Sequence, residues 1–408
     1  MKRIVRIVLI CLLIVSCKKQ NQVKILAEGP WRVELEVMDN QLLPFNLNVE
    51  KDDKGIYTMK IFNADEVIEV DEITIFGDSI IMQTPVFEGY LAGTFDDTMI
   101  TGSFVKESLD RVVPFTATYG EEERFTTKKP SDQNVSGIWE TNFSPNTDDS
   151  YMGKGIFLQE KNKVSGTFRT TTGDYRFLDG VVEGDSLKLS AFDGAHAFLF
   201  TAKVTDSSMN GMFYSGNHFK EPFVARRNEN FDLPSPDSLT FINEGYDKLA
   251  FTFPNLNNTH VSLADERFKD KVVIVQLMGT WCPNCLDESK FLVNYLAENP
   301  NKDVEVIGLA FESAKTKEKA FMAIKRLKDR IGVNYPILLA QYGSYDKKEA
   351  QKKLPMLNHV LSYPTTIFLD KNGDIRKIHT GFNGPATGDK FLEFKADFDD
   401  FVNQLLRE

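Results

Sequence analysis

The sequence predicts a multidomain chain in which tandem all-β repeats, barrel or meander, precede an α/β domain. Three observations carry that prediction. Residues 30–227 hold short alternating runs with little helical period, and that stretch repeats itself. Further on, the β-branched run Val272-Val273-Ile274-Val275 stops at two cysteines and turns amphipathic, as strand, tight connection and helix would.

In chain order, the first segment is a targeting signal. Lys2, Arg3 and Arg6 precede an apolar run, Ile7 to Val15, too short to span a bilayer. It ends Ile14-Val15-Ser16-Cys17, which resembles the lipobox of bacterial lipoproteins. That likeness implies a signal peptide over 1–16, cleavage before Cys17, and acyl chains including palmitate on its sulfur. The polar residues 17–27 read as a tether.

The β region duplicates at a nearly constant offset. Gly29-Pro30-Trp31 recurs as Gly137-Ile138-Trp139, Gly77-Asp78-Ser79 as Gly184-Asp185-Ser186, and Pro114-Phe115-Thr116-Ala117 as Pro222-Phe223-Val224-Ala225. The expected repeats are 28–120 and 134–228, with room for about eight short strands each, a small up-and-down barrel or half of a larger one. Glu121 to Asn134 reads as a charged surface connection. Leu233-Pro234-Ser235-Pro236 marks a linker over 229–245, across which the β region and residues 246–408 are expected to fold separately.

In the α/β domain, a strand over 272–278 leads to a helix over 283–298, followed by a buried strand Val304–Phe311. A helix through Ala320, Ile324, Leu327 and Ile331 stops at Gly332. Ile367 to Leu369, the Asn372-Gly373 turn and Ile375 to Ile378 form a hairpin, and a final helix carries Phe391, Phe394, Phe398 and Phe401 on one face. Cys282 falls at the first turn of the 283–298 helix, where free N–H groups and the dipole favour a thiolate. Cys285 lies on the same face within disulfide reach. A structural zinc would need four ligands, but the remaining cysteines, Cys11 and Cys17, are N-terminal and no histidine pair is nearby. The pair therefore reads as a redox dithiol, with no metal and no cofactor.

Trp281-Cys282-Pro283-Asn284-Cys285, together with Tyr363-Pro364-Thr365-Thr366 leading into a strand, resembles a thioredoxin fold of the TlpA/ResA type over roughly 246–408. The resemblance implies that Cys282 attacks, Cys285 resolves, and Pro364 is a cis proline facing the pair. Trp281 and the backbone of Tyr363 would line the substrate groove. Thioredoxin's buried aspartate is replaced here by Gln276, and the glutamate of the TlpA/ResA branch falls on Glu288, a proton carrier for Cys285 if buried. Tyr363 is larger than the residue often found before that proline. Glu312 reads as a surface or helix-capping carboxylate.

Net charge is −11 with no basic block beyond the N-terminus, which argues against nucleic-acid binding. The expected protein is a lipid-anchored periplasmic thiol–disulfide oxidoreductase, reductase favoured over oxidase and outer membrane over inner. It would exchange with thiol- or disulfide-containing periplasmic proteins and draw electrons from a membrane electron-relay protein. The rival readings are a binding lipoprotein whose β domain captures a ligand or partner, and a thiol peroxidase. Gly279 falls where the peroxidase pattern needs threonine.

Overall fold

A computed structural model describes residues 24–300 and 302–408. The signal segment 1–16, the lipidation candidate Cys17 and residues 18–23 lie outside the described residues.

Each β repeat forms nine strands rather than about eight. The first runs from strand Gly29–Glu36 to strand Arg111–Tyr119, in the spatial order 4-3-2-1-9-8-7-6-5. Its outermost strands, Glu66–Val70 and Glu72–Phe76, are joined through Asp71 alone, and no ladder between them closes the sheet among the described residues. In the second repeat Lys163–Thr170 pairs with both Tyr151–Glu160 and Leu178–Glu183, so eight strands close into a ring. The ninth, Gly173–Asp174, folds back on Lys163–Thr170 as a projecting hairpin.

Alternation sends every second residue inward, and both repeats bury a tryptophan at the same place. Trp31 Nε1 donates to Ala27 O at 3.1 Å and Trp139 Nε1 to Val135 O at 2.8 Å, each four residues back. Phe143, Phe168, Phe200 and Phe223 fill the closed barrel, with Phe168 and Phe200 4.8 Å apart between centroids. These packed rings form a core, as expected for a barrel of this strand number.

Three connecting segments depart from their sequence reading. Leu26 is buried in the first repeat's core, so the expected tether over 17–27 does not extend that far. Arg124, in the supposed surface connection, is buried. It donates to Phe62 O and Ser190 O, tying the two repeats together. The supposed linker is laid along the α/β domain: Asp237 bonds His379 Nδ1 at 2.7 Å and Asn243 N donates to Met356 O at 2.8 Å. Prolines forbid a regular ladder there, but they leave carbonyls and side chains free to pair.

The α/β domain is built on a five-stranded sheet. Its central strand, Val272–Met278, is buried throughout and lies parallel to Val304–Phe311 and antiparallel to Thr365–Leu369. Ile337–Gln341 and Ile375–Thr380 form the edges. Helices Pro283–Glu298, Lys317–Ile331, Lys347–Lys353 and Asp389–Arg407 complete the domain. Gly332 ends the second of these at φ 72°, a left-handed cap that favours glycine.

The repeats do not stand apart from this domain. Arg326 and Arg330, on helix Lys317–Ile331, reach the open seam of the first repeat at Asp71, Glu72 and Thr84 O. Arg176 of the second repeat is buried against Asp287 of helix Pro283–Glu298. A separately folding α/β domain would leave that buried charge uncompensated.

Candidate active site

Cys282 is the N-cap of helix Pro283–Glu298. Its Sγ accepts from Cys285 N at 3.2 Å, and Pro283 supplies the first-turn residue that needs no donor. The two cysteines are disulfide-bonded, with Cα atoms 5.2 Å apart. Cys285 is fully buried, whereas Cys282 retains 6% exposure, so the first cysteine is the one a partner can meet.

The Tyr363–Pro364 peptide is cis, and Cys282 Sγ lies 3.4 Å from Tyr363 O. Trp281 is fastened by its indole N–H to Phe311 O at 2.9 Å, and its ring meets Tyr363 edge-on at 5.7 Å. Trp281, Cys282, Tyr363 and Pro364 are thus brought together around one sulfur.

Glu288 is buried behind the disulfide. Its Oε2 accepts from Gln276 Nε2 at 2.8 Å and its Oε1 from Thr366 Oγ1 at 2.6 Å. Gln276 and Thr366 are direct cross-strand partners, which explains how both converge on one carboxyl. Gln276 Nε2 also reaches Cys285 O at 3.3 Å, joining the carboxyl's cradle to the resolving cysteine's own backbone. Burial pushes the Glu288 pKa up to about 7, against the pull of hydrogen bonds from Thr366 and Gln276. Thr366 was in plain view in the Tyr-Pro-Thr-Thr motif. Its role becomes visible only when the register places it opposite Gln276.

Glu312 is not a surface carboxylate. It is buried, accepting from Thr280 N at 2.9 Å and from Thr280 Oγ1 at 2.6 Å, and burial raises its pKa to about 7. It lines a cavity of about 350 Å³ together with Trp281, Phe87, Met322 and Arg326. A glutamate just beyond a buried strand gives no local sign of such burial, because the atoms that cover it come from Thr280 and the first repeat.

Residues 246–392 match the Redoxin family. The thioredoxin-like protein YneN of Bacillus subtilis (strain 168) is 31% identical over 158 residues, which cover 39% of this chain and 81% of that protein. The chain belongs to the Redoxin family. The thiol-disulfide oxidoreductase ResA of the same strain is 25% identical over 140 residues, 34% of this chain and 69% of ResA. Among solved structures, a thioredoxin-family thiol:disulfide interchange protein from Chlorobium tepidum TLS shares 20% identity, covering 40% of this chain and 98% of that one at TM-score 0.30. The Redoxin domain is thioredoxin-like, and the protein is a thiol–disulfide oxidoreductase.

Proposed function

We propose that this Redoxin protein is a lipid-anchored periplasmic reductase of protein disulfides. The observation that supports the chemistry best is a single arrangement: an N-cap cysteine bonded to a fully buried partner, with a buried carboxyl of near-neutral pKa behind them.

In the reducing direction, the Cys282 thiolate attacks one sulfur of a substrate disulfide, forming a mixed disulfide and releasing the first substrate thiolate. The helix N-terminus and the Cys285 N–H stabilise the negative sulfur. Cys285 then loses its proton to Glu288 and attacks Cys282 Sγ. The mixed disulfide breaks, the second substrate thiolate leaves, and the Cys282–Cys285 disulfide remains. Two electrons and two protons from a membrane electron-relay protein restore the dithiol. Trp281, Tyr363 and Pro364 hold the substrate segment beside the sulfur.

The anchor rests on the lipobox at Cys17, and the absence of aspartate at Lys18 and Lys19 favours the outer membrane. Among the described residues no helix is long and apolar enough to cross a membrane. Fractionation of a Cys17→Ser variant tests the anchor; membrane association unchanged from the parent refutes it. Cys285→Ser should accumulate mixed disulfides between Cys282 and periplasmic proteins, and Cys282→Ser should accumulate none. Trapping through Cys285 instead would reverse the assignment. A reduction potential near −270 mV supports the reductase, and one near −120 mV would make it an oxidase.

A further inference from the structure

We propose that the hairpin tip Thr170–Asp174 of the second β repeat is a wall of the exchange site and restricts it to disulfides on extended segments. This rests on Cys282 being the attacking thiol.

Three loops of the Redoxin domain flank Cys282: the dithiol turn, the loop ending at Pro364, and Gly381–Gly384. The hairpin tip bonds to all three. Asn284 Nδ2, inside the dithiol motif, donates to Asp174 O at 3.3 Å. Ser362 Oγ donates to Thr172 O at 2.8 Å, and Gly384 N donates to Asp174 Oδ2 at 2.8 Å. The approach is too close for side chains. A Cβ on Gly173 would lie 2.1 Å from Asn284 Nδ2, and one on Gly381 would lie 2.9 Å from the Thr172 carbonyl carbon. Both glycines also have positive φ, 144° and 80°.

The hairpin is surplus to its own barrel, since Gly173–Asp174 stands outside the closed ring of strands. It is nevertheless anchored at both ends. Arg169 Nε donates to Asn383 Oδ1 at 2.8 Å, and buried Arg176 binds Asp287 on the active-site helix. Glu66, from the corresponding hairpin of the first repeat, holds Arg176 at 2.7 Å. The duplication thus supplies one hairpin that meets the redox site and one that braces it.

Exchange needs the attacked disulfide nearly in line with Cys282 Sγ, and that sulfur is 6% exposed between the hairpin tip and the Trp281–Tyr363 pair. A narrow segment can present a disulfide there. A disulfide set in a broad folded surface meets the hairpin first.

The test compares kcat/KM for insulin with that for glutathione disulfide, using the full chain and dithiothreitol as reductant. The charge-neutral double variant Arg176→Met, Asp287→Leu releases one anchor, and Arg169→Met releases the other more gently. The insulin-to-glutathione ratio should rise roughly fivefold in the double variant and by less in Arg169→Met, with the glutathione rate within about twofold of the parent. A ratio unchanged in both variants, or one that falls, overturns the wall. If the double variant does not fold, Arg169→Met alone decides. A parent inactive on glutathione disulfide would instead refute the exchange assignment itself, and the wall with it.

Discussion

Asp287 and Glu288 are adjacent residues on the active-site helix, both buried, and they face opposite chemical worlds. Asp287 points out to the β repeats, where Arg176 also gathers Glu66 and Asp193. Burial opposes the charge on Arg176, but the carboxylates around it hold its pKa well above the usual value. Burial likewise works against Asp193, yet His196 and Arg176 draw it down to about 2. Glu288 points inward and meets only neutral donors, Gln276 and Thr366. A buried carboxylate beside a cation is locked in its charged form. One offered only neutral hydrogen bonds keeps its proton until near neutrality and can trade it.

The largest effects should come from breaking each face outright. Cys285→Ser, on the inward side, should lower multiple-turnover exchange by about 10³-fold or more, because the mixed disulfide has no resolving thiol. Arg176→Met, on the outward side, should cost roughly 3–5 kcal/mol in denaturant unfolding, since it leaves buried carboxylates without their cation. Full retention of stability would show that water reaches the cluster.

Next in size is Glu288→Gln, which should slow exchange about 10²-fold between roughly pH 6 and 8. Stopped-flow rates equal to the parent's across that window would leave the proton to water. The same variant sharpens the contrast in stability. Glu288 has a folded pKa of about 7, above its ordinary 4.5, so the native state binds the extra proton and loses stability as pH rises from 4.5 through 7. Removing the acid should therefore make the protein more stable at pH 8 than the parent, by up to about 3 kcal/mol, with little difference at pH 4. Arg176→Met should show no such inflection near pH 7.

The smallest effect should come from the exposed contact with the first repeat. Arg330 pairs with Asp71 and Glu72 where solvent screens them, so Arg330→Ala should cost less than about 1 kcal/mol in thermal or denaturant unfolding. A loss as large as that of Arg176→Met would mean the open seam of the first repeat depends on the helix that covers it.

The sequence by itself determined everything that depends on near neighbours. The strand 272–278 and the helix 283–298 have the predicted bounds because a β-branched run, a proline at the first helical turn and a 3.6-residue period act within a few residues. The duplication was legible for the same reason, as its markers are short strings at one offset. Only the tertiary structure decided what meets across long separations. Arg176 and Asp287 are 111 residues apart, and neither has a local pattern that sets it apart from a solvated charge. Glu312 reads as a surface carboxylate until Thr280 and the first repeat close over it. The two repeats share sequence markers, yet one closes into a ring and the other stays open, because closure depends on whether strands on either side of a hairpin can reach each other. Glu288 belongs to both accounts: its position follows from spacing along one helix, but its near-neutral pKa exists only because folding strips it of water and offers no cation in return.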